Sequence, residues 1–257
     1  MSNRLFLQER REQILALLQQ EGRVSVADLS ELLHFSAATI RSDLDALSAQ
    51  GLLARTHGGA IVSDRSDLEL SFDVRRRLQA AQKKRIGAAA AALVEDGEAI
   101  ALDASTTALA LASHIKDRRE LTVVTNGLSV AMTLINTPGI TVLMPGGFLR
   151  RDSVSLVHLG SNDFVKQFNL GKGFFGAKGI NLETGLTDVD HAEVAVKRNL
   201  VAQVKQVVAI VDSSKWGRVG FVSFSSIDEL DCVITDEGAP PDMVAALREA
   251  GVDVIIA

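Results

Sequence analysis

Five short polar segments each follow an apolar run, and their side chains suit a small anionic ligand. Hydroxyls, lysines and helix N-termini bind phosphate, whereas carboxylates and amides bind sugar hydroxyls. Any one segment alone is compatible with ordinary turn chemistry, but five in succession favour a common site at one edge of a sheet. The predicted ligand-binding residues are Asp103, Ser105, Thr106, Thr107, Thr125, Asn126, Gly127, Gly146, Gly147, Arg150, Lys178, Asp212 and Lys215.

A second group of residues, near the N-terminus, suits contact with DNA. The segment 36–44 has small residues first and then Arg41, its only long cation, which is the composition of a slim helix able to enter a major groove. A hairpin with two glycines follows at 55–59. The alternatives are a small helical domain in which Arg41 pairs with Asp45, and an ordinary hairpin. The predicted DNA contacts are Ser36, Ala37, Thr39, Arg41, Ser42, Arg55 and His57.

The elements that would position these DNA contacts read as a winged helix-turn-helix. Helical periodicity covers 4–20, 26–33 and 37–50, with Ser25 and Ser36 as N-caps of the second and third helices. Two short strands around a turn at 57–59 complete the pattern. We therefore predict a DNA-binding domain over 1–62 and a polar linker over 63–74.

The rest of the chain, 75–257, is predicted to be an α/β domain with a mostly parallel sheet. A long helix over 75–93 opens it. The predicted strands are 99–102, 121–124, 140–144, 174–177, 207–211, 232–235 and 252–256, and the predicted later helices are 105–115, 128–136, 191–206 and 242–250.

Composition excludes several other classes of protein. The chain has 257 residues, 47% of them hydrophobic, a net charge of −5 and one cysteine, so a disulfide framework is excluded. No apolar run is long enough for a membrane span, and the N-terminus does not read as a signal peptide, so we expect a cytoplasmic protein. The five histidines are scattered, and the dinucleotide-like spacing at 171–176 leads into a strand. We therefore expect no metal and no cofactor.

Taken together, these features resemble the DeoR family of bacterial transcription regulators. The resemblance rests on 39–44, 51–52, 55–60, 103–107, 146–150, 185–188 and 212–217, and on Glu193 with Lys197. Ser42 stands where the family usually has a second arginine, and Ser105 where glycine is common. By spacing alone Glu193 and Lys197 read as a surface salt bridge. The resemblance makes both of them ligand-pocket residues.

The resemblance implies a winged helix fused to a sensor domain similar to ribose-phosphate isomerases. It implies a DNA-binding repressor of a carbohydrate-utilisation operon, a homo-oligomer (dimer or tetramer) that is released from double-stranded operator DNA by a phosphorylated sugar. Two alternatives remain open at this point. One is an active sugar-phosphate isomerase with Asp103, Asp212 or Glu193 as base, and the other is a sensor that has lost DNA binding.

Overall fold

The computed structural model of the chain describes residues 7–49, 52–61, 71–158 and 164–257. These residues form two compact units, 1–78 and 79–257. The first unit consists of α1 (Leu7–Glu21), β1 (Arg23–Ser25), α2 (Val26–Leu33), α3 (Ala37–Ala49), β2 (Ala54–Thr56), β3 (Gly59–Ile61) and α4 (Phe72–Arg77).

The first unit is a winged helix-turn-helix, as predicted. The N-cap of α2 is Ser25, whose Oγ accepts a hydrogen bond from the backbone N–H of Asp28. His34 ends α2 in the left-handed conformation at φ 58° and turns the chain toward α3. The three strands form one antiparallel sheet in the order β1-β3-β2. One apolar cluster, centred on Ile14, Ile40 and Leu44, holds the helices together.

The second unit contains the remaining elements. They are α5 (Ala80–Ala91), β4 (Ala99–Leu102), α6 (Thr106–Ala112), β5 (Leu121–Thr125), α7 (Leu128–Leu134), β6 (Ile140–Leu143), β7 (Phe148–Arg150), β8 (Ser155–Val157), β9 (Leu170–Phe175), β10 (Gly179–Asn181), β11 (Gly185–Asp188), α8 (His191–Val201), β12 (Val204–Ile210), β13 (Val222–Ser225), β14 (Cys232–Thr235), α9 (Pro241–Glu249) and β15 (Asp253–Ile256).

Seven of these strands form the predicted sheet, in the order β15-β14-β12-β9-β4-β5-β6, and every pairing in it is parallel. Successive side chains of a strand point to opposite faces, so Phe174 and Phe175 belong to two different apolar clusters. Helices α5, α6 and α7 contribute to one cluster and α8 and α9 to the other. The α/β prediction is therefore confirmed, with a core on each face of the sheet.

The strand order places a topological switch point between β4 and β9. From β4 the chain proceeds to β5 and β6 on one side, and then to β9, β12, β14 and β15 on the other. Open parallel sheets bind ligands in the crevice at the carboxyl ends of the strands, where the order reverses. The segments after β4 and β9 are therefore the natural centre of a site.

The predicted single helix over 75–93 is wrong. The structure has two helices, α4 and α5, separated by Leu78 in an extended conformation and by Gln79 in the left-handed region at φ 53°. Leu78, between the two helices, is buried. The surrounding residues are good helix formers, so propensity gave no warning. Helix α4 begins at Phe72, inside the predicted linker, and 62–70 lie outside the described residues.

Two small antiparallel structures were not predicted. One is the hairpin β7-β8, and the other is the three-stranded sheet β10-β11-β13. The predicted helix over 191–206 was too long, since α8 ends at Val201 and β12 begins at Val204.

Candidate functional site

Helix α3 begins at Ala37, directly after Ser36, which was predicted to be its N-cap. Ser36 Oγ accepts a hydrogen bond from the Thr39 backbone N–H at 3.1 Å and shares another with the Thr39 hydroxyl at 2.9 Å. On the inner side of α3, Ile40 and Leu44 are fully buried. The first turn, including the partly exposed Ala37, is thus fixed in place, and its outer face is left to solvent.

That outer face carries Arg41 and Ser42, both exposed. The Arg41–Asp45 pair considered as an alternative does not form, because Asp45 instead accepts a 2.8 Å hydrogen bond from Arg55 Nε. Within the described part of the chain, Arg41 has no ion-pair partner. Its guanidinium is therefore available to a phosphate or a base edge.

The wing exposes His57 at its tip. Arg55 turns back toward the body of the unit, with Nε on Asp45 and Nη1 donating to the Gly59 carbonyl oxygen. A Cβ on Gly59 would lie 1.9 Å from the Val24 carbonyl oxygen. This glycine permits β1 and β3 to approach closely, which is a different role from the predicted tip turn.

A buried ion cluster joins α1 to α3. Asp43 is 1% exposed, and its two carboxylate oxygens accept hydrogen bonds from Arg10 Nε at 2.5 Å and Arg11 Nε at 2.8 Å. The Arg10 guanidinium also lies 4.3 Å from the centre of the Phe35 ring. Both oxygens of the buried carboxylate are satisfied, so the cluster fixes α3 relative to α1.

In the second unit, Asp103 and Lys197 meet at the switch point. Asp103 Oδ1 accepts a hydrogen bond from the Ser105 N–H at 3.0 Å, and Oδ2 accepts one from the Gly176 N–H at 2.9 Å. Lys197 Nζ lies 3.0 Å from Asp103 Oδ2, and donates to Asp188 Oδ2 and the Gly176 carbonyl oxygen at 2.7 Å each. With three close acceptors, this ammonium locks β4, β9 and α8 together.

Glu193 is the centre of a second polar cluster. Its Oε1 accepts hydrogen bonds from the hydroxyls of Ser153 (2.5 Å) and Ser155, and from Arg150 Nη1 at 3.2 Å. Its Oε2 accepts a 3.3 Å hydrogen bond from Asn126 Nδ2. This cluster connects α8 to the hairpin β7-β8 and to the end of β5.

The predicted surface salt bridge between Glu193 and Lys197 is therefore wrong. Both residues are 4% exposed, and each makes its contacts with residues outside α8. Their spacing of one helical turn places them under neighbouring strand ends, with Glu193 beneath β5 and Lys197 beneath β4 and β9.

A third cluster surrounds Asp212 after β12. Asp212 Oδ1 accepts hydrogen bonds from the backbone N–H and the hydroxyl of Ser214. Asp212 Oδ2 is buried and accepts no hydrogen bond from the described residues, and the Lys83 ammonium lies 3.7 Å away. Lys83 itself is 6% exposed and comes from α5.

The pKa directions agree with this geometry. Burial opposes ionisation of Asp212, but the Lys215 and Lys83 ammonium groups and the Ser214 hydrogen bonds outweigh it and hold the pKa of Asp212 below its usual value. Burial likewise opposes the charge on Lys197, but Asp188 and Asp103 outweigh it and raise its pKa. Both groups are therefore charged at neutral pH.

Other predicted ligand residues shape the segments after β4 and β5. The N-cap of α6 is Ser105, whose Oγ accepts a 3.0 Å hydrogen bond from the Ala108 N–H. A Cβ on Gly176 would lie 2.5 Å from Ser105 Cβ, so these two segments touch across the switch point. Thr125 Oγ1 accepts a 3.0 Å hydrogen bond from the Gly127 N–H, and Thr106 and Thr107 are buried at the start of α6.

The loops after β6 and β9 contain the last predicted residues. Gly147 has φ 149°, and a Cβ there would lie 2.3 Å from the Val157 carbonyl oxygen. Gly146 is exposed, and Lys178 is half-buried, with its backbone N–H on the Thr187 carbonyl oxygen. Gly147 permits the hairpin to pass close to the rim, while Gly146 shows no such constraint.

Sequence reasoning missed several buried polar residues, namely Asp43, Lys83, Ser153, Ser155 and Asp188. Asp43 and Lys83 could have been recognised from their spacing. Each lies three positions from a buried isoleucine on the same helix face, Asp43 from Ile40 and Lys83 from Ile86. Ser153 and Ser155 carried no comparable signal, because their partner Glu193 is remote in sequence.

The described ranges contain neither a membrane-spanning helix nor a cluster of metal ligands. No helix there is long and apolar enough to cross a membrane. No group of histidine, cysteine, aspartate or glutamate side chains in 7–49, 52–61, 71–158 and 164–257 is arranged to hold a metal ion.

A winged helix followed by an α/β unit with buried polar clusters at its strand ends is the architecture of a DNA-binding transcription regulator with a sensor domain. The comparisons name the family. The DeoR-like helix-turn-helix domain matches residues 10–66, and the DeoR C-terminal sensor domain matches residues 78–237. The chain belongs to the DeoR family.

Curated relatives agree over nearly the whole chain. The HTH-type transcriptional regulator GolR of Listeria innocua is 34% identical, covering 98% of this chain and 100% of its own. The glycerol-3-phosphate regulon repressor of Escherichia coli is 33% identical, covering 94% and 95%. A ribose 5-phosphate isomerase from Methanocaldococcus jannaschii aligns with a TM-score of 0.39 at 17% identity, over 52% of this chain and 53% of its own.

The family assignment corrects one alternative. The isomerase reading with Asp103, Asp212 or Glu193 as base is wrong, because the family and the curated relatives are transcriptional regulators. The chain is a DNA-binding transcriptional regulator and not an enzyme.

Proposed function

We propose that the protein represses a carbohydrate-utilisation operon and leaves its operator when a phosphorylated sugar binds the sensor domain. The observation that carries this proposal is the Asp212 cluster. Two ammonium groups, those of Lys83 and Lys215, act on one buried carboxylate next to the switch point. Ammonium groups next to a strand end are donors that an anionic group such as phosphate favours. The buried Asp236 carboxylate contacts the same segment, where it accepts a 2.7 Å hydrogen bond from the Ser213 N–H.

The rest of the rim supplies the groups that a sugar needs. Asn126 and the Ser105 hydroxyl lie after β5 and β4, on the other side of the switch point from Asp212. A phosphate near Lys215 and hydroxyls toward Asn126 would span the crevice. One relative is named as the repressor of a glycerol-3-phosphate regulon, and glycerol 3-phosphate is, like a sugar phosphate, a phosphate ester that carries hydroxyl groups.

The proposed DNA contacts are on α3 and the wing. Arg41 and Ser42 face outward, and Arg41 has no ion-pair partner among the described residues. Ser36, Ala37 and Thr39 lie at the amino end of α3, and Arg55 and His57 lie on the wing. In a cytoplasmic dimer or tetramer, two such helices would enter successive major grooves of the operator.

Helix α5 is the proposed relay between the two activities. It is the first helix of the second unit in chain order, and it carries Lys83 to the Asp212 cluster. A ligand that changes the position of Lys83 would move α5, and with it the chain that leads from the DNA-binding unit. Release requires the ligand to bind the DNA-free arrangement more tightly, so DNA must weaken ligand binding by the same factor.

The test is a titration of the full-length protein on labelled DNA from upstream of its own gene. The probes are glycerol 3-phosphate, ribose 5-phosphate, glucose 6-phosphate and fructose 6-phosphate. Wild type should release DNA with at least one of them. Lys215→Ala should bind DNA normally but bind that probe roughly tenfold to a hundredfold more weakly, because a charge-assisted contact is lost.

Lys205→Ala is the matched control, since Lys205 is exposed at the opposite end of β12. It should behave as wild type does. If Lys215→Ala binds the probe as tightly as wild type and still releases DNA, the assignment of Lys215 to the pocket is wrong. If no probe releases wild type, the proposed class of effector is wrong.

A further inference from the structure

Asn126 is fully buried, with 0% exposure, yet half of its amide group is unused. Its Nδ2 donates to the Leu156 carbonyl oxygen and to Glu193 Oε2, at 3.3 Å each. Both of these partners only accept hydrogen bonds, so the nitrogen must face them. Asn126 Oδ1 therefore points away from both, and it has no hydrogen-bond partner among the described residues.

Glu193 holds this orientation. Its Oε1 accepts hydrogen bonds from Ser153, Ser155 and Arg150, which leaves Oε2 directed at Asn126 Nδ2. Its backbone N–H donates to Asp190 Oδ1 at 2.9 Å, so the start of α8 is fixed as well. The contacts of the Glu193 carboxylate are thus taken by the protein itself.

Asn126 lies at the rim of strand ends, and its Oδ1 is buried from solvent. Asn126 follows β5, which is paired with β4. The next residue, Gly127, packs so closely on the segment after β4 that a Cβ there would lie 2.9 Å from Ala104 Cα. A buried acceptor without a donor is unfavourable in an empty site, and it becomes favourable when a bound molecule supplies the donor.

We propose that Asn126 is a specificity-determining residue whose Oδ1 accepts a hydrogen bond from one hydroxyl of the ligand, and that Glu193 is the positioning residue that holds the amide in this orientation. The inference rests on the proposed function, because it takes the ligand to be a phosphorylated sugar. It adds that one point of the site requires a hydrogen-bond donor. A deoxy or fluoro group at that point cannot donate, so it is rejected.

The experiment pairs changes in the ligand with changes in the protein. Calorimetry measures the affinity of the full-length protein for the four probes named above, which are glycerol 3-phosphate and three sugar phosphates. The monodeoxy and monodeoxyfluoro analogues of the tightest binder are then compared on wild type and Asn126→Leu. We expect one hydroxyl whose removal weakens binding to wild type tenfold or more, and to Asn126→Leu by less than threefold.

Glu193 variants separate positioning from a merely structural role. In Glu193→Ala the amide keeps only its hydrogen bond to the Leu156 carbonyl oxygen. Nδ2 can then turn toward the ligand more readily, and the fluoro analogue should gain relative to the hydroxyl. Glu193→Gln retains an acceptor for Nδ2 and should restore the preference for the hydroxyl. The Glu193 variants also carry the test if Asn126→Leu does not fold, as judged by circular dichroism.

The control is Asn136→Leu, at an exposed asparagine just after α7, which should reproduce wild type throughout. The inference is overturned if every analogue loses the same factor on wild type and Asn126→Leu, or if Glu193→Ala weakens all analogues equally. If no sugar phosphate binds wild type, the proposed function falls and the inference falls with it. Binding without any coupled hydroxyl overturns the inference alone.

Discussion

The two units of this protein differ in how completely their buried polar groups are paired. In the DNA-binding unit, the buried carboxylate of Asp43 has both oxygens paired, one with Arg10 and one with Arg11. The reading groups of that unit, Arg41 above all, are on the outside. Within 7–49, 52–61 and 71–78, no buried side-chain nitrogen or oxygen lacks a hydrogen-bond partner.

The sensor unit combines paired and unpaired buried groups. Lys197 is surrounded by three acceptors at 2.7–3.0 Å, while Asn126 Oδ1, Asp212 Oδ2 and Thr184 Oγ1 are buried without a hydrogen bond from the described residues. Asn126 and Asp212 follow strands of the parallel sheet, whereas Thr184 lies between β10 and β11. The comparison teaches that the paired groups hold the strand ends in place, and that the two unpaired acceptors at the rim are open to pairing with a small ligand.

The largest effect is expected when the Asp43 ion cluster of the first unit is disrupted. Asp43→Ala would leave Arg10 buried without its carboxylate, and this should cost about 3–5 kcal/mol of that unit's stability. Amide hydrogen exchange at Ile14 and Ile40 measures the loss within the intact protein. Operator affinity should fall as well, because α3 is no longer fixed to α1.

Asp45→Ala is the matched control for Asp43→Ala. Its carboxylate is mostly exposed and pairs only with Arg55, so the expected cost is below about 1 kcal/mol. Equal exchange rates in the two variants would show that the Asp43 cluster does not hold the unit together.

The next largest effect is on operator affinity and concerns the exposed face of α3. Arg41→Ala should weaken operator binding, because Arg41 is the long cation of α3. If it contacts phosphate, the slope of log K against log salt should shrink by about 1. If it reads guanine, discrimination between operator and mutant sites should fall by about 1–3 kcal/mol. Unchanged affinity and slope would remove Arg41 from the interface.

Ser42→Arg is the converse experiment on the same exposed face. It adds a second cation next to Arg41, and we expect tighter binding to most DNA sequences at low salt. No gain at low salt would show that Ser42 does not face DNA.

The smallest expected effect is on the pH dependence of stability and concerns Asp212 in the sensor unit. The pKa of Asp212 is lowered in the folded protein, so its ionised form contributes stability above its unfolded pKa of about 4, and this contribution is lost as the pH falls through the folded pKa. Asp212→Asn should therefore lose less melting temperature than wild type does between pH 5 and pH 2.5. Parallel curves for the two proteins would contradict the assignment.

Glu237→Gln provides the control for the pH experiment. The pKa of Glu237 is also lowered, by its hydrogen bond to Arg85, but the side chain is mostly exposed, so solvent screens the pair and its contribution to stability is small. Its variant should follow the wild-type curve closely.

Much of the fold was predictable because local signals marked it. Ser25 and Ser36 marked the starts of α2 and α3, and apolar runs marked the strands of the parallel sheet. The strand predicted over 174–177 was misplaced, because β9 runs from Leu170 to Phe175 and begins with a glycine- and lysine-containing segment. The break at Gln79 was missed because no glycine or proline stands there. The hairpin β7-β8 was missed because its strands have only three residues each.

The residues at the strand ends of the site were predictable from the sequence, but the partners with which they pair were not. Strand-end residues such as Asp103, Asn126 and Asp212 were recognised because sheet topology brings them to one rim. Which of them are paired depends on partners far away in sequence, for example Lys197 for Asp103 and Lys83 for Asp212. Such pairings follow from packing, which no local pattern encodes.

The switch point described above also sets an order of events during synthesis. Domains generally fold in sequence from the N-terminus as the chain is made. The DNA-binding unit ends at Leu78, whereas the sensor site needs Asp103 and Asn126 and then, much later, Glu193, Lys197 and Asp212. A growing chain thus holds the complete sequence of its recognition helix long before its sensor crevice can close. Messages cut short before α8 would encode proteins that retain α3 and lack the residues that close the crevice, so we expect such products to be blind to the effector.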